Sequence, residues 1–380
     1  MRVAIVAGET SGDLLAADLL RALKARVPDL KAEGVTGPAL RALGCDSLED
    51  MQALSVMGIA EVAGELPRLL ALRKRLLQHW RANPPDVFIG VDAPDFNLGL
   101  ETRLRAHGVR TVHYVSPTVW AWRPGRVHKI ARAADLLLCL FPFEPACYDG
   151  LPIKAVFVGH PFADQIKAVP DKATCRAALG LDADDKVLAL LPGSRGGEVG
   201  LLAPQLARSV ARLRRRLPGI RFITPAANAK VRGLFESQLA AHGQQDAVRI
   251  FDGRMREVVR AADAAIVTSG TATLETMLLG TPFVVAYKAS PITEWLLRGL
   301  GMLKIQHVAL PNILAGGEVA RELLQDDASA ENLSAAATQL LTRPRWAQLQ
   351  RAQFAPLAQQ LDQPSGDIAA DAVLALCAAA

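Results

Sequence analysis

Short apolar runs of strand length, each closed by a glycine or polar turn and followed by residues at helical spacing, recur along most of this 380-residue chain. That alternation leaves few folds open. The clearest copy is Leu-Ala-Leu-Leu-Pro-Gly-Ser-Arg-Gly-Gly-Glu-Val, residues 188–199. The run Val187 to Leu191 breaks at Pro192-Gly193, and from Glu198 onward Val199, Leu201, Leu202 and Leu206 fall at helical spacing. Backbone amides at such a helix start are unpaired, and the helix dipole places about +0.5 charge there, so an anion is the natural guest. Arg195 adds a planar fork of donors that matches phosphate oxygens, with Ser194 beside it. In isolation, an ordinary strand-to-helix turn with a surface arginine would read the same. The design, however, occurs twice. Residues 3–8 form a buried-type strand, Gly8-Glu9-Thr10-Ser11-Gly12-Asp13 a polar turn, and Leu14 to Lys24 a helix. This first copy lacks the lysine of a Walker A loop and the spacing of Gly-x-Gly-x-x-Gly, which weighs against both a triphosphate and a dinucleotide site.

Between and after these copies the same pattern predicts strands at 34–37, 87–91, 111–115, 136–140, 155–158, 220–224, 248–251, 264–267 and 283–286, with helices between. Repeated strand-helix-strand units imply parallel sheets with ligands beyond the carboxyl ends of the strands. The expected fold is α/β: two doubly wound Rossmann-like domains facing each other across a cleft. Residues 1–166 are expected to form the first domain and 167–345 the second. Residues 346–380 are expected to be a helical tail that packs on the first domain or on a partner chain. Helices broken at Pro344, Pro356 and Pro364, with Ser365 as a cap, are read over residues 331–380. A hydrophobic content of 51% with only 5% aromatics suits such Leu/Ala/Val packing better than a β-sandwich. The five cysteines are scattered and form no Cys-x-x-Cys, so neither a zinc site nor a disulfide framework is indicated, and a reducing cytosol is the expected compartment. The opening strand leaves no room for a signal peptide, and the longest apolar stretch, 136–143, is under half of the ~20 residues a membrane-spanning helix needs.

Motifs at strand ends carry the chemistry. Thr268-Ser-Gly-Thr-Ala-Thr-Leu-Glu275 leaves a strand of the second half. Ser269, Gly270 and Thr271 would offer hydroxyls and amides to a diphosphate, and Glu275 would accept from the two hydroxyls of a ribose. Paired with the 193–198 turn, this points to a nucleoside diphosphate; alone it reads equally as a capped helix with a solvated glutamate. Asp92-Ala-Pro-Asp95-Phe-Asn97 ends a strand of the first half. Asp92 is the candidate general base for an attacking hydroxyl, and Asp95 the candidate cap of the next helix. Asp182-Ala-Asp184 precedes a strand, at the wrong end of a sheet for a metal site, and the seven histidines show no ligand spacing, so the sequence calls for no metal and no cofactor. The stretch 51–75 is amphipathic, with Val56, Met57, Ile59, Leu66 and Leu69 beside Arg68 and Arg73, and Trp120-Ala-Trp122 lies near further basic residues. These elements suit a bilayer interface or acyl chains, with core packing behind a solvated basic face as the other reading. The net charge of +5 selects no partner by itself, and no nucleic-acid module is present.

Gly8-Glu-Thr-Ser-Gly-Asp13, Val56-Met-Gly-Ile59, Asp92-Ala-Pro-Asp-Phe-Asn97 and His113-Tyr-Val-Ser-Pro-Thr-Val-Trp-Ala-Trp122 stand in the first half. Gly159-His-Pro161, Leu191-Pro-Gly-Ser-Arg195, Ser269-Gly-Thr-Ala272 and Pro311-Asn-Ile-Leu-Ala315 follow. Together, over about residues 3–325, they resemble the lipid-A-disaccharide synthase family of GT-B glycosyltransferases. The resemblance implies inverting transfer of 2,3-diacylglucosamine from UDP to the 6-hydroxyl of 2,3-diacylglucosamine 1-phosphate, on the cytosolic face of a Gram-negative inner membrane. By motif position it implies Asp92 as base, Arg195 at the leaving group, Gly8, Glu9, Ser11, Gly12 and Asp13 at the bound substrate, an acceptor- and lipid-binding first domain and a UDP-sugar-binding second. Ser194, Ser269, Gly270, Thr271, Glu275 and Asn312 would lie around UDP, and Gly253 and Met255 near the uracil. It implies peripheral membrane attachment and leaves a homodimer open. The other reading is a different GT-B enzyme, such as a polyprenyl-acceptor transferase or a UDP-sugar 2-epimerase.

Overall fold

A computed structural model describes residues 1–54, 59–121, 124–289 and 306–378, with backbone only at 59–65. Val56, Met57 and Trp122 lie outside the described residues, as does the side chain of Ile59. The chain divides into two compact units, the first built from Met1–Pro161 with Leu361–Ala380, the second from Phe162–Gln360.

The first unit contains β1 (Arg2–Ala7), α1 (Thr10–Arg26), β2 (Lys31–Thr36), α2 (Pro38–Ala42), β3 (Asp46–Asp50), α3 (Ile59–Ala82), β4 (Val87–Val91) and α4 (Pro94–Arg105). It continues with β5 (Arg110–Tyr114), α5 (Val127–Ala133), β6 (Leu136–Cys139) and β7 (Lys154–Phe157). Its seven strands are ordered β3-β2-β1-β4-β5-β6-β7, each pair parallel. Both faces are covered, which is why strands such as β4 are apolar throughout. Val3, Ile5 and Ala7 meet Leu15, Leu19 and Leu23 of α1 on one face. Ala4 and Val6 meet Leu72, Leu76 and Trp80 of α3 on the other. The last helix, Ser365–Ala378, seats Ala369, Ala370 and Val373 in the α1 core and receives Arg26 on Asp367 (2.9 Å) and Asp371 (2.8 Å).

The second unit runs through α6 (Pro161–Lys167), α7 (Lys172–Ala178), β8 (Val187–Leu191), α8 (Gly196–Arg216), β9 (Arg221–Ala226) and α9 (Ala229–Ala241). It then continues with β10 (Val248–Asp252), α10 (Met255–Ala261), β11 (Ala264–Thr268), α11 (Thr271–Leu278), β12 (Phe283–Tyr287) and β13 (Glu322–Leu324). Its sheet is ordered β10-β9-β8-β11-β12-β13 and is also parallel. Both sheets reverse direction of winding at a central pair, β1/β4 in the first and β8/β11 in the second, the points where such sheets open a crevice.

Several local expectations are corrected. α1 starts at Thr10 rather than Leu14, so Ser11, Gly12 and Asp13 are helical and the turn shrinks to Gly8-Glu9. Strands β3 and β13 were not expected. Pro356 does not break the helix Pro344–Leu361, and Ser365 is the first residue of its helix, its hydroxyl donating to Gln363 O, rather than a cap.

Candidate active site

The β8 and β11 turns open side by side because their strands are neighbours, and Thr268 Oγ1 ties them by donating to Leu191 O at 2.9 Å. Each turn needs a glycine where the backbone goes left-handed, Gly193 at φ +113° and Gly270 at φ +142°. Each leads into a helix, α8 and α11, whose first turn leaves backbone amides without intrahelical partners. The result is a pocket of about 390 Å³ lined by Leu191–Arg195, Glu198, Pro225–Ala227, Gly253, Met255, Thr268–Ala272 and Glu275. Every expected residue of the second unit except Asn312 is therefore brought together: Ser194, Arg195, Gly253, Met255, Ser269, Gly270, Thr271 and Glu275.

Arg195 occupies the N-cap position of α8, with its side chain 83% exposed and Nη1 on Glu198 Oε1 at 3.2 Å. It is a cation at the pocket rim with reach, rather than one locked in the core. Ser269 donates its hydroxyl to Val308 O at 2.9 Å, which fixes the oxygen while leaving its lone pairs as acceptors. Glu275 is largely buried and receives Arg256 Nε at 2.6 Å. Arg256 in turn lies 5.6 Å over the Phe162 ring. Sequence reasoning missed Arg256, Glu198 and the β9 end at Pro225–Ala227. Arg256 directly follows the singled-out Gly253-Arg-Met255, but nothing in that run shows that the side chain of the second residue of α10 reaches α11.

Asn312 is a correction. It is fully buried, its Nδ2 donates to Ala320 O (2.7 Å) and Glu322 Oε1 (2.8 Å), and its Oδ1 accepts from the amides of Val319 (2.9 Å) and Ala320 (2.8 Å). All of its hydrogen-bonding capacity closes its own loop, and it does not line the pocket.

In the first unit, Gly8 and Glu9 follow β1 and Asp92 follows β4, again neighbours at the switch point; a Cβ built on Gly8 would lie 3.1 Å from Ala93 Cβ. Asp92 and Ala93 both adopt left-handed backbone, at φ +51° and +42°. Asp92 is half-buried, and among the described residues its hydrogen bonds are backbone ones, its N–H to Tyr114 O (2.8 Å) and its C=O from Asn97 Nδ2 (2.8 Å). Ser11 is exposed in the first turn of α1. Asp13 and Gly12 are corrections. Asp13 is 2% exposed and caps α2, accepting from the amides of Gly37 (2.8 Å), Ala39 (2.8 Å) and Leu40 (3.3 Å). Gly12 is buried where α1 meets β4, its built Cβ 3.5 Å from Val91 Cγ1. Asp95 caps nothing; it is an exposed residue of the first turn of α4 paired with Arg126 at 2.6 Å.

Among the residues expected at a lipid surface, Leu66 is 49% exposed and Leu69 half-buried on α3, and Arg68 donates to Ala53 O at 3.0 Å. Arg73 is half-buried along Gly99 of α4, and burial lowers its affinity for its proton. Trp120 is half-buried rather than laid open: it meets Phe143 edge-on at 5.4 Å and gives its indole N–H to Glu144 Oε1 at 3.3 Å. Burial pushes the Glu144 carboxyl up to about 7.

The lipid-A-disaccharide synthetase family model matches residues 3–373. The lipid-A-disaccharide synthase of Alkalilimnicola ehrlichii is 51% identical over 378 residues, covering 99% of this chain and 98% of that one. The enzyme of the same name from Serratia proteamaculans is 46% identical, covering 100% and 99%. Among solved structures, UDP-GlcNAc 2-epimerase from Neisseria meningitidis bound to UDP-GlcNAc aligns with a TM-score of 0.63 at 13% identity, covering 99% of each chain. The glycotransferase of kitacinnamycin aligns with a TM-score of 0.59 at 17% identity, covering 99% and 98%. At that identity the likeness is one of fold. On the full-length family match and on relatives near half identity over the whole chain, this chain belongs to the lipid-A-disaccharide synthase family.

Proposed function

We propose that the pocket between the β8 and β11 turns holds the UDP of UDP-2,3-diacylglucosamine and that Asp92 is the general base. As a member of its family the chain is an inverting glycosyltransferase. It moves 2,3-diacylglucosamine to the 6-hydroxyl of 2,3-diacylglucosamine 1-phosphate, giving the β-1,6-linked disaccharide 1-phosphate and UDP. The observation that carries the nucleotide reading is the meeting of two helix starts, two left-handed glycine turns, Arg195 and Glu275 in the lining of one pocket.

In the reaction the acceptor oxygen bonds to the anomeric carbon, the bond from that carbon to the diphosphate oxygen breaks, and the hydroxyl proton passes to the carboxylate of Asp92. Negative charge grows on the departing UDP, where the first amides of α8 and α11 and the Arg195 guanidinium stabilise it. Glu275, held by Arg256, accepts from the ribose hydroxyls; Gly253 and Met255 border the base. Gly8, Glu9 and Ser11, at the strand end beside Asp92, border the acceptor.

The enzyme works at a lipid surface as a peripheral protein on the cytosolic face of the inner membrane, since both sugars carry acyl chains. Support comes from α3, whose Leu66 and Leu70 stay 49% and 45% exposed near Arg68. No helix of the described residues is long and apolar enough to cross a membrane.

The test is product analysis with both diacylated sugars in the presence of EDTA. The disaccharide 1-phosphate together with UDP is expected. A 2-epimer, or UDP release without disaccharide, would overturn the reading.

A further inference from the structure

Beneath the Asp92 turn lies a buried polar cluster that the reaction does not account for. Gly90 of β4 is in register with His113 of β5, so the two residues present the same face of the sheet to α4. The missing side chain at Gly90 makes room: a Cβ built there would lie 2.2 Å from Glu101 Oε1 and 2.9 Å from Asn97 Cβ. Asn97 and Glu101 are one helical turn apart on α4 and both face this space. Glu101 and His113 are 0% exposed, with Oε1 and Nδ1 2.7 Å apart. Asn97 Nδ2 donates to Asp92 O at 2.8 Å, with Val91 O at 3.4 Å and Val6 O at 3.5 Å. It thereby staples the left-handed turn that presents Asp92.

Four buried side-chain polar atoms among the described residues have no hydrogen-bond partner, and three of them belong here: Asn97 Oδ1, Glu101 Oε2 and His113 Nε2. An ionised Glu101 would leave two buried acceptors without a donor on residues one helical turn apart, which native interiors avoid. One proton on Glu101 Oε2 turns that oxygen into a donor and satisfies both. Desolvation acts in the same direction, raising the Glu101 carboxyl above its ordinary range against the opposing pull of His113.

We propose that Asn97, Glu101 and His113 are positioning residues for Asp92. Glu101 is a neutral acid that accepts from His113 Nδ1–H and donates from Oε2 to Asn97 Oδ1. That donation fixes which way the Asn97 amide faces, because a flipped amide would aim its oxygen at three carbonyls. Glu101 thus acts on the reacting hydroxyl only through Asn97 and the backbone of Asp92. The functional half of the inference rests on Asp92 being the base; the protonation of Glu101 does not.

The test uses the full chain. In infrared difference spectra of the wild type against Glu101→Gln at neutral pH, a protonated-carboxyl band is expected to belong to the wild type alone. A carboxylate band in its place overturns the proposal. Glu101→Gln, which keeps one donor and one acceptor in the same shape, is expected to retain kcat close to that of the wild type. Glu101→Met, of similar volume with neither, is expected to lose about tenfold or more in kcat while KM for the UDP-sugar stays put. Equal kcat in the two variants overturns the positioning role; should the Met variant not fold, Asn97→Ser supplies the same comparison. Full activity in Asp92→Asn would remove the base assignment while leaving the infrared result to decide the state of Glu101.

Discussion

Asp92 and Asp13 show how far a residue's role is set by what surrounds it. Both carboxylates stand at strand-end motifs of the first unit, at the β4 and β1 ends. Asp13 is consumed by three backbone amides at the start of α2, whereas Asp92 sits on two successive left-handed residues with its carboxylate clear of them. Non-glycine residues in that region cost about 1–3 kcal/mol each and persist where the surroundings insist on them, commonly at functional sites. The sequence brought Asp92 to notice, yet it could not reveal that Asp13 was spoken for, because the amides that claim it belong to an element some 25 residues on. Asp92→Asn keeps the size and hydrogen-bonding shape of the side chain but cannot take a proton. Turnover is expected to fall by about 10²-fold or more with the melting temperature unchanged; retained activity would remove Asp92 as base. Arg195→Ala tests the opposite end of the reaction. A side chain 83% exposed with one i,i+3 partner contributes within about 0.5 kcal/mol to stability, so a large loss of kcat in a normally folded variant isolates its effect on the leaving diphosphate.

Elements were legible where a buried apolar run coincides with a strand and illegible where the sheet ends. β8 and β11 are buried at every position, and their runs stand out. β3, Asp-Ser-Leu-Glu-Asp, is an edge strand with no fully buried residue, so no apolar period marks it, and β13 is only three residues long at the other sheet's edge. The turn after β6 adds a feature no pattern contains. Glu144 accepts the amides of Leu140 and Phe141 at 3.0 Å each, and Phe141 packs at 5.2 Å on the His160 ring. Besides Glu144 and His160, the titratable groups at this turn include Cys139 of β6 and Cys147 and Tyr148 of the turn itself, all pushed up by burial, with Asp149 adding to the effect on Cys147. Burial moves Glu144 from 4.5 to about 7 and His160 from 6.5 down to about 4. Folding therefore favours the protonated carboxyl, and Glu144's contribution is present at low pH and lost as pH rises from 4.5 through about 7. Folding favours the neutral imidazole, so the contribution of His160 is lost as pH falls from 6.5 to about 4. Each amounts to something on the order of 3 kcal/mol, and they oppose each other across the same window. Glu144→Gln is thus expected to steepen the loss of stability between pH 6.5 and 4.5, and His160→Gln to flatten or invert it, in urea unfolding of the first unit. Profiles parallel to that of the wild type would show that neither group is shifted.

At the scale of the whole chain, two features are not properties of any one element. One is the outward apolar edge of α3. Its C-terminal half buries Leu72, Leu76 and Trp80, so the exposure of Leu66 and Leu70, just before them, is not required by the core. Leu66→Ser with Leu70→Ser is expected to leave folding intact and to weaken co-sedimentation with anionic vesicles; equal sedimentation would assign those leucines no lipid role. The other is the return of the chain. The first unit takes its last helix from residues 361–380, after the second unit is complete. That helix is no appendage, because Ala369, Ala370, Ala372 and Val373 share a core with Leu15, Leu19 and Leu23, and a Cβ on Gly366 would meet Asp18 Oδ2 at 2.5 Å. The small side chains are what let it lie so close to α1, and a run of alanines in a sequence gives no hint of which helix it approaches. Without it a fragment of residues 1–161 exposes the apolar outer face of α1 and leaves Arg26 without both of its carboxylates. Burial at about 25 cal/mol per Å² makes a face of that size worth several kcal/mol, a large share of a domain's net stability. Residues 1–161 alone are therefore expected to melt well below the same unit in the full chain by circular dichroism. Adding a peptide of residues 361–380 is expected to raise that melting temperature with rising peptide concentration, as binding to the folded state alone requires. A fragment as stable as the intact unit, or indifferent to the peptide, would mean that the chain's return contributes nothing to holding the first sheet together.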